Sequence, residues 1–372
     1  DLILSLLKER AETGRLYIMN IDHCNSHSSF KDKVNMSNLC QEITLPTDPI
    51  NHIDDEMPGE IALCILSAIN VGKVKSDDEL EDLCDLSVRG LEELIDYQEY
   101  PVRAAEVATK ARRSLGVGFI GLAHYLAKLG FSYGSQEAWD AVHGLSESFQ
   151  YYLLKSSNQI AKEKGHCEYF GRTKYADGIL PIDTYKREVD EITSEGLVHD
   201  WESLRSSINE YGLRHSTLSA QMPSESSSVV SNATNGIEPP RAFLSTKKSK
   251  KGPLKQIVPQ YGTFKNNYTL LWDMKDNDGY IKVVAAMQKF FDQAISGNWS
   301  YNPENYDNNE VPVSVMAQDF LTTYKYGWKT SYYQNTHDMK NDEVVEEPKS
   351  NLDNLLNELE QAEEGECESC AV

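Results

Sequence analysis

Residues 61–69 have the sequence Ile-Ala-Leu-Cys-Ile-Leu-Ser-Ala-Ile and are apolar at almost every successive position. A strand with one face in water alternates apolar and polar side chains, whereas a strand that is covered on both faces does not. The run therefore predicts a strand covered on both faces, with Cys64 in its middle. The chain has 372 residues and 40% hydrophobic content, which suffices for a large core or for two domains.

Further elements follow from start signals and from the spacing of apolar side chains. Ser76 and Pro101 are start signals for helices over 76–98 and 101–115. An amphipathic helix opens the chain without a cap or lead-in, so we expect the chain to be part of a larger fold. Apolar periodicity also predicts helices at 136–164, 278–296 and 312–326, and strands at 15–21 and 327–336.

The composition argues against several classes of protein. The formal net charge is −22, from 36 basic and 58 acidic residues, which disfavours nucleic acid or an anionic membrane as the main partner. The sequence contains no run of about 18 apolar residues and no signal peptide at its start. Seven cysteines, an odd number, are typical of reduced thiols. We therefore expect a cytoplasmic protein.

The stretch Asn38-Leu39-Cys40-Gln41-Glu42 combines three reactive side chains. If it is extended, Asn38, Cys40 and Glu42 project to the same side, because side chains alternate between faces. Such a row suits one-electron sulfur chemistry on a hydroxylated substrate. The sulfur takes a hydrogen atom, the carboxylate takes a hydroxyl proton and the amide orients the substrate. The alternative is a strand with one buried cysteine, which is a common position for a free thiol.

A second informative stretch is Met-Pro-Ser-Glu-Ser-Ser-Ser-Val-Val at 222–230. It predicts a turn that opens a helix, with a proline near the first turn and hydroxyls and a glutamate at its start. Unpaired backbone N–H groups and the hydroxyls of Ser226 and Ser227 would form a phosphate cradle there. The alternative is a serine-rich flexible linker, which the structured turn predicted for 232–240 disfavours.

Two other patterns have open alternatives. Residues 116–121 match GxGxxG, but they follow a helical basic segment, and no acidic residue follows about 20 positions later in a convincing strand. Close packing that glycine permits explains them as well as a dinucleotide site does. His23, Cys24 and His27 could form a metal cluster, but a closed zinc site needs four ligands, which favours a polar loop at a strand end.

The composition changes after Thr336. Residues 337–372 carry 12 acidic and 2 basic side chains, so we expect a mobile acidic tail over 337–372 after a folded unit over 1–336. The tail ends with Cys367 and Cys370 in a CxxC pair. A zinc ribbon would need a second pair, so a dithiol that carries reducing equivalents between a buried site and an external reductase fits better.

In their order along the chain, these motifs resemble the large, catalytic subunit of class I ribonucleotide reductase. The resemblance runs essentially from Leu2 to Cys370. It implies an α/β fold, the C-terminal half of a ten-stranded α/β barrel, with a central finger loop that carries the radical cysteine and a flexible C-terminal tail. The motifs that carry it are residues 38–42, 222–227, 231–241, 332–336 and the tail dithiol.

The resemblance implies a role for each reactive residue. Cys40 would be the thiyl radical that abstracts the ribose 3′ hydrogen, Glu42 the base at the 3′ hydroxyl, and Asn38 the partner of substrate and of Glu42. Cys64 would be one of the two thiols that reduce the 2′ position. The substrate-binding residues would be Ser37, Asn38, Leu39, Cys40, Glu42, Pro223, Ser224, Glu225, Ser226 and Ser227.

The remaining roles concern electron transfer. Tyr332 and Tyr333 would relay the radical from a small subunit, which holds a di-iron tyrosyl radical, to Cys40. Cys367 and Cys370 would re-reduce the buried disulfide and be recharged by thioredoxin or glutaredoxin, although the family's tail cysteines are often spaced more widely. The substrate would be a ribonucleoside diphosphate, and no cofactor is expected on this chain.

The family's large subunit is about twice as long as this chain. By the resemblance, its N-terminal half carries the other reducing cysteine, the effector-nucleotide sites and part of the substrate pocket. We therefore expect the chain to be inactive alone and to need a separate N-terminal polypeptide.

Three alternatives remain open. A radical reductase that generates its thiyl from cobalamin would not need the paired tyrosines. A nicotinamide-dependent dehydrogenase would use residues 116–121. In an acidic regulatory or scaffold chain, all these motifs would serve packing alone.

Overall fold

Helices alternate with short strands in the computed structural model, which describes residues 2–52, 59–193, 195–249 and 252–337. The strands are β1 (Ile18–Met19), β2 (Ile65–Asn70), β3 (Leu115–Ile120), β4 (Leu244–Ser249), β5 (Gly252–Ile257), β6 (Trp299–Tyr301), β7 (Thr330–Ser331) and β8 (Gln334–Thr336). This mixture fits the predicted α/β class.

The α-helices are α1 (Leu2–Thr13), α2 (Ile21–Ser26), α3 (Asp77–Tyr97), α4 (Arg103–Arg112), α5 (Leu122–Leu129), α6 (Gln136–Lys164), α7 (Pro181–Thr184), α8 (Trp201–Tyr211), α9 (Glu225–Val230), α10 (Tyr261–Phe264), α11 (Asp278–Gln288) and α12 (Val313–Lys325). Short 3-10 helices lie at Phe170–Arg172, Lys174–Asp177, Arg187–Glu191, Leu271–Asp273, Pro303–Asn305 and Asp307–Asn309. None of the described helices has the length and apolar character that a membrane crossing requires.

Five extended segments lie side by side in a parallel row. β2 pairs with β3 from Ile65↔Leu115 to Asn70↔Ile120. β3 meets residues 217–221 through the Val117–Ser219 bridge, and these meet 293–296 through the Gln221–Ile295 bridge. The chain after 296 continues into β6, which pairs with β8. β1 joins the end of the row by pairing antiparallel with β7.

Two long helices, α3 and α6, cover this row, and a capping serine explains where each of them begins. The Ser76 side chain accepts a hydrogen bond from the Glu79 N–H at the start of α3, and Ser135 accepts one from the Ala138 N–H at the start of α6. α6 packs against α3, α8 and α11, and most of its residues are buried. Both helices lie within one residue of their predicted bounds.

Five predicted elements are wrong in their extent. The strands predicted at 15–21 and 327–336 are confined to β1 and to the short strands β7 and β8. The predicted strand at 61–69 is confined to β2, and Leu66 on its outer side is 41% exposed, so that face is not covered within the described residues. The helix predicted over 101–115 ends at Arg112, because Arg113 has a left-handed backbone (φ 50°) and β3 begins at Leu115. The helix predicted over 278–296 ends at Gln288, and the chain then enters the row of strands.

Gly116 and Gly118 of the GxGxxG stretch lie inside β3, whereas Gly121 lies at the turn between β3 and α5 with a left-handed backbone (φ 79°). A Cβ at Gly116 would lie 2.5 Å from Leu66 Cδ2 and 3.0 Å from Cys64 Sγ, and one at Gly118 would lie 2.6 Å from the Ala220 carbonyl oxygen. Their position indicates close strand packing, as the structural alternative predicted.

Candidate active site

The Cys40 loop, the described residues 27–52 and 59–64 between α2 and β2, carries the predicted reactive trio. Residues 38–41 form a turn in which the Gln41 N–H donates to the Asn38 carbonyl oxygen at 3.2 Å. Gln41 has a left-handed backbone (φ 72°). The extended strand predicted for 38–42 is therefore wrong. The Asn38 side chain favours the turn, because its Oδ1 accepts from the Ile43 N–H at 3.1 Å.

The apex of the loop lies on segment 293–296 of the strand row. Ser296 Oγ donates to the Cys40 carbonyl oxygen at 2.5 Å and to Glu42 Oε2 at 3.3 Å. The Ala294 N–H donates to the Glu42 carbonyl oxygen at 3.0 Å. Gln293 Oε1 accepts from the Thr44 N–H at 3.2 Å. A rigid strand edge thus holds the backbone on both sides of Cys40.

Glu42 is buried, and its carboxylate contacts Asn38 and Ser296. Burial raises the pKa of the Glu42 carboxyl, and the hydrogen bonds from Asn38 and Ser296 oppose that rise. A buried carboxylate with a raised pKa is suited to accept a proton from a substrate hydroxyl. The turn therefore brings Asn38 and Glu42 together, although not through the geometry that the sequence predicted.

Cys64 lies immediately before β2 and is linked to the same strand edge. Gln293 Nε2 donates to Cys64 Sγ at 3.5 Å and to the Leu115 carbonyl oxygen at 2.9 Å. Burial raises the pKa of the Cys64 thiol to about 12, so the sulfur keeps its hydrogen at neutral pH. Gln293 contacts both Thr44, four residues after Cys40, and Cys64, and sequence reasoning missed it.

Tyr332 and Tyr333 lie where the last strand is interrupted between β7 and β8. The Tyr332 hydroxyl donates to Cys40 Sγ at 3.5 Å, and the two tyrosine rings have centroids 4.0 Å apart. The strand predicted at 327–336 is therefore interrupted at this dipeptide, between β7 and β8. Tyr333 N–H donates to the Asn298 side chain at 2.9 Å.

A third tyrosine completes this cluster. The Tyr17 ring lies 4.8 Å from Tyr332 and 5.6 Å from Tyr333 between centroids. Burial and the hydrogen bond to Cys40 raise the pKa of Tyr332, whereas hydrogen bonds from Tyr332 and Tyr17 lower the pKa of Tyr333. The strand predicted at 15–21 includes Tyr17, which was the only hint of its role in the sequence. The pairing of β1 with β7 is not encoded by the local sequence.

Arg10 of α1 supports the tyrosine pair from behind. Its guanidinium donates to the carbonyl oxygens of Tyr332 at 2.8 Å and Tyr333 at 3.2 Å, and it lies 4.4 Å from the centroid of the Trp299 ring. Burial lowers the pKa of Arg10 to about 10. Leu7 and Arg10 are the buried residues of α1 and lie one turn apart, so an arginine on the apolar face was the missed sequence signal.

A cavity of about 740 Å³ lies beside the tyrosine pair. Its lining includes Tyr332, Tyr333, Glu238 and, near the start of α9, Pro223 and Glu225. Burial raises the pKa of the Glu238 carboxyl, and the Asn298 side chain donates a hydrogen bond to it. The cavity thus connects the predicted phosphate turn to the tyrosines.

The structure places the other predicted binding residues unevenly. Ser37 Oγ donates to the Ile43 carbonyl oxygen at 2.9 Å and so stabilises the turn, whereas Leu39 at its tip is 78% exposed. Ser224 is buried before the first residue of α9, while Ser226 and Ser227 are exposed. The first N–H groups of a helix lack partners within the helix, which is the property on which the predicted phosphate cradle depends. The phosphate cradle at the start of α9 stays a prediction.

The His23, Cys24 and His27 cluster is held by protein contacts. His23 and Cys24 lie in α2, which replaces the predicted polar loop, and bind the carbonyl oxygens of Trp328 and Lys329. His27 bonds with Thr184 and with the Gln288 carbonyl oxygen. The described ranges contain no group of three or more His, Cys, Asp or Glu side chains placed to hold a metal ion. Cys367 and Cys370 lie outside the described residues.

Comparison with known proteins gives consistent matches. A family model described as "Ribonucleotide reductase, barrel domain" matches residues 1–263 and 261–334. The chain is 58% identical over 336 residues to the ribonucleoside-diphosphate reductase subunit alpha of Haemophilus influenzae, covering 90% of this chain and 44% of that protein.

Two further relatives extend this pattern. The ribonucleoside-diphosphate reductase 1 subunit alpha of Escherichia coli is 54% identical over 341 residues, with 91% of this chain and 45% of the relative covered. The corresponding subunit alpha of Enterobacteria phage T4 is 42% identical over 359 residues, with 94% and 47% covered. The chain therefore spans less than half the length of these relatives.

Proposed function

The chain belongs to the ribonucleotide reductase family, and we propose that it forms the C-terminal part of a large catalytic subunit that reduces ribonucleoside diphosphates to 2′-deoxyribonucleoside diphosphates. The observation that carries this proposal is the contact of the Tyr332 hydroxyl with Cys40 Sγ at 3.5 Å. This contact joins a phenol to the Cys40 thiol, two residues before the buried Glu42 carboxyl.

The first step of the proposed reaction is the formation of a sulfur radical. A Tyr332 phenoxyl radical takes the hydrogen atom of the Cys40 thiol, which restores the phenol and leaves a thiyl radical on Cys40. The contact between the Tyr332 oxygen and Cys40 Sγ supports this step, because the proton and the electron move between the same two atoms. Tyr333, stacked on Tyr332 with centroids 4.0 Å apart, is the preceding member of the relay from a small subunit that holds a di-iron tyrosyl radical.

The second step is activation of the ribose. The Cys40 thiyl radical abstracts the 3′ hydrogen atom, while Glu42 accepts the proton of the 3′ hydroxyl and Asn38 orients that hydroxyl. Contact of Glu42 with Asn38 and Ser296 supports this assignment. Loss of the 2′ hydroxyl as water follows, with a proton from a thiol.

The third step supplies two electrons. Cys64 and a second thiol are oxidised to a disulfide as the 2′ carbon is reduced, and Cys40 then returns its hydrogen atom to the 3′ carbon. The thiol form of Cys64, which burial favours, suits its role as a donor of hydrogen. Cys367 and Cys370 would re-reduce this disulfide and be recharged by thioredoxin or glutaredoxin.

The substrate would enter beside the tyrosine pair. The cavity reaches from Tyr332 to Pro223 and Glu225 at the start of α9, where the residues from Ser224 to Ser227 would hold the diphosphate. Backbone N–H groups at a helix start favour anionic oxygens.

We propose that the second thiol is supplied by an N-terminal polypeptide. The five parallel segments, from β2 to β8, support the proposal that this chain forms half of a ten-stranded barrel, with the Cys40 loop as its finger loop. An N-terminal partner would supply the other half and the remaining reducing cysteine. The chain matches less than half of each relative.

Reconstitution tests the proposed chemistry. The chain, mixed with the N-terminal part of a relative, a small subunit, thioredoxin and a ribonucleoside diphosphate, is expected to form deoxynucleotide. Cys40→Ser should reduce the rate at least about 1,000-fold, because a hydroxyl cannot replace the thiol as hydrogen-atom carrier. Product formation is measured by chromatography.

Cys24→Ser is the matched control, because Cys24 is a buried free thiol outside the site, and it should keep most of the activity. Deoxynucleotide formation by the Cys40→Ser mixture at an unchanged rate would end the radical proposal. Full activity of the chain with the small subunit alone would end the proposal of an N-terminal partner.

A further inference from the structure

Three carboxylates on the legs of the Cys40 loop bind arginines that lie outside the loop. Asp32 lies eight residues before Cys40, Asp48 lies eight residues after it, and Glu60 lies further along the second leg. Their partners are Arg112, at the end of α4, and Arg172, in the 3-10 helix Phe170–Arg172. We call these five residues the leg clamp.

Arg112 forms the buried part of the leg clamp. Its Nε donates to Glu60 Oε1 at 2.8 Å and its Nη2 to Glu60 Oε2 at 2.9 Å, a two-point contact. Nη2 also donates to Asp32 Oδ2 at 3.1 Å. Arg112 and Glu60 have side chains that are each 2% exposed. A buried pair of this geometry depends on both partners, because either charge alone would stay uncompensated.

Arg172 forms the outer part. Its Nε donates to Asp32 Oδ2 at 2.7 Å, and its Nη1 and Nη2 donate to Asp48 at 3.1 and 3.2 Å. Asp32 on the first leg therefore lies between the two guanidinium groups. Each arginine therefore contacts both legs: Arg112 binds Asp32 and Glu60, and Arg172 binds Asp32 and Asp48.

Hydrogen bonds from backbone N–H groups also join Asp48 and Glu60 to each other. The Asp48 N–H donates to Glu60 Oε2 at 2.9 Å, and the Glu60 N–H donates to the Asp48 carbonyl oxygen at 3.0 Å. Both guanidinium groups lie over the Tyr169 ring, at 5.2 Å for Arg112 and 4.6 Å for Arg172. The leg clamp is thus anchored to the scaffold by an aromatic side chain.

We propose that Arg112 and Arg172 are positioning residues that fix the two legs and thereby keep Cys40 and Glu42 seated on segment 293–296. The proposal rests on the proposed function in one respect, since it takes Cys40 as the reacting thiol. Eight extended residues span up to about 28 Å. A loop with legs of that length can place its apex in many positions relative to segment 293–296, and fixing both legs removes most of these positions.

Hydrogen exchange of the 372-residue chain tests this proposal. Arg172→Gln should increase the exchange rate of a peptide covering residues 36–47 by about tenfold, because charge-assisted hydrogen bonds to both legs are lost. Exchange of β3 should not change, since that strand reports opening of the core. Arg172→Lys keeps the positive charge but not the planar guanidinium group. Its exchange rate for residues 36–47 should therefore lie between those of the wild type and Arg172→Gln.

Arg89→Gln is the matched control. Arg89 also binds two carboxylates, Glu163 through both Nη atoms at 2.9 and 3.0 Å and Asp85 through Nε at 2.9 Å, and its side chain is 38% exposed against 31% for Arg172. It should leave exchange of the loop peptide unchanged. The proposal would be overturned if Arg172→Gln and Arg89→Gln accelerated exchange of the loop peptide equally. It would also be overturned if Arg172→Gln accelerated exchange of β3 as much as that of the loop peptide, or did not accelerate the loop peptide at all.

Activity provides a second readout that separates this proposal from the proposed function. In the reconstituted mixture, Arg172→Gln should lower kcat about tenfold while KM for the nucleotide changes less than twofold, because α9 does not depend on the leg clamp. A change in KM alone would contradict a positioning role. If the wild-type mixture forms no deoxynucleotide but the exchange result holds, the proposed function fails and the leg clamp stands.

Discussion

Glu42 shows how a single side chain acquires its properties from contacts distant in sequence. Asn38 lies four residues away, whereas Ser296 and Ala294 come from a strand some 250 positions further along. Burial disfavours the charged carboxylate and the two side-chain hydrogen bonds favour it. The resulting raised pKa suits a base that must both accept a proton and release it.

A substitution of Glu42 separates activity from stability. Because the folded state raises the pKa, folding favours the protonated carboxyl, and this contribution is lost as the pH rises through the folded pKa. At pH 8 the charged group therefore costs stability, so Glu42→Gln should leave the thermal midpoint unchanged or higher. Activity in the reconstituted mixture should fall about 100-fold or more, since the base is lost.

Asp319→Asn is the matched control, because burial also raises the pKa of Asp319, whose carboxylate binds Tyr301 and Asn277. It should retain activity far better than Glu42→Gln. A Glu42→Gln chain that is fully active would contradict the role of Glu42 as the base.

At the residue scale, the sequence identifies the reactive side chains but not their arrangement. The identities of Asn38, Cys40 and Glu42 pointed to a shared site, and the structure brings them to one loop apex. The predicted strand was wrong, because the left-handed Gln41 belongs to a turn. Nothing in the alternation of side chains distinguishes an extended stretch from such a turn when the stabilising contacts are local side-chain hydrogen bonds.

At the element scale, prediction succeeded where signals are local. Ser76 and Ser135 fix the starts of α3 and α6, and apolar periodicity fixes their extent. It overestimated the length of the strands near the site: β1, β7 and β8 lie inside the strands predicted at 15–21 and 327–336, but they have only two or three residues each and exist through pairing with distant segments. The hairpin of β4 and β5 had no predicted counterpart.

The spacing between strands gives a prediction at this scale. Gly118→Ala would place a Cβ 2.6 Å from the Ala220 carbonyl oxygen and 3.0 Å from Met222 Sδ, so it should lower the free energy of unfolding by about 1–3 kcal/mol. Gly144→Ala in α6 meets nothing within 4 Å and should raise it by about 0.5–1 kcal/mol. Urea titration measures both. Equal stability of the two variants would show that the strands do not approach this closely.

At the scale of the whole molecule, the tyrosine cluster depends on parts of the chain that are far apart. α1 supplies Arg10, the residue before β1 supplies Tyr17, and the break between β7 and β8 supplies Tyr332 and Tyr333. Cys40 comes from the loop. Tyr17 and Arg10 were missed because their roles arise only from this long-range assembly, whereas Tyr332 and Tyr333 stood out as an adjacent pair.

The contact between Tyr332 and Cys40 is the centre of this account, and Tyr332→Phe tests it most directly. The variant keeps the ring but removes the hydroxyl that donates to Cys40 Sγ, so the hydrogen-atom transfer to a phenoxyl radical cannot occur. Tyr326→Phe, another buried tyrosine near the end of the described chain, is the matched control. In the reconstituted mixture, the account predicts that Tyr332→Phe forms deoxynucleotide at least about 1,000-fold more slowly than Tyr326→Phe. Comparable rates for the two variants would contradict it.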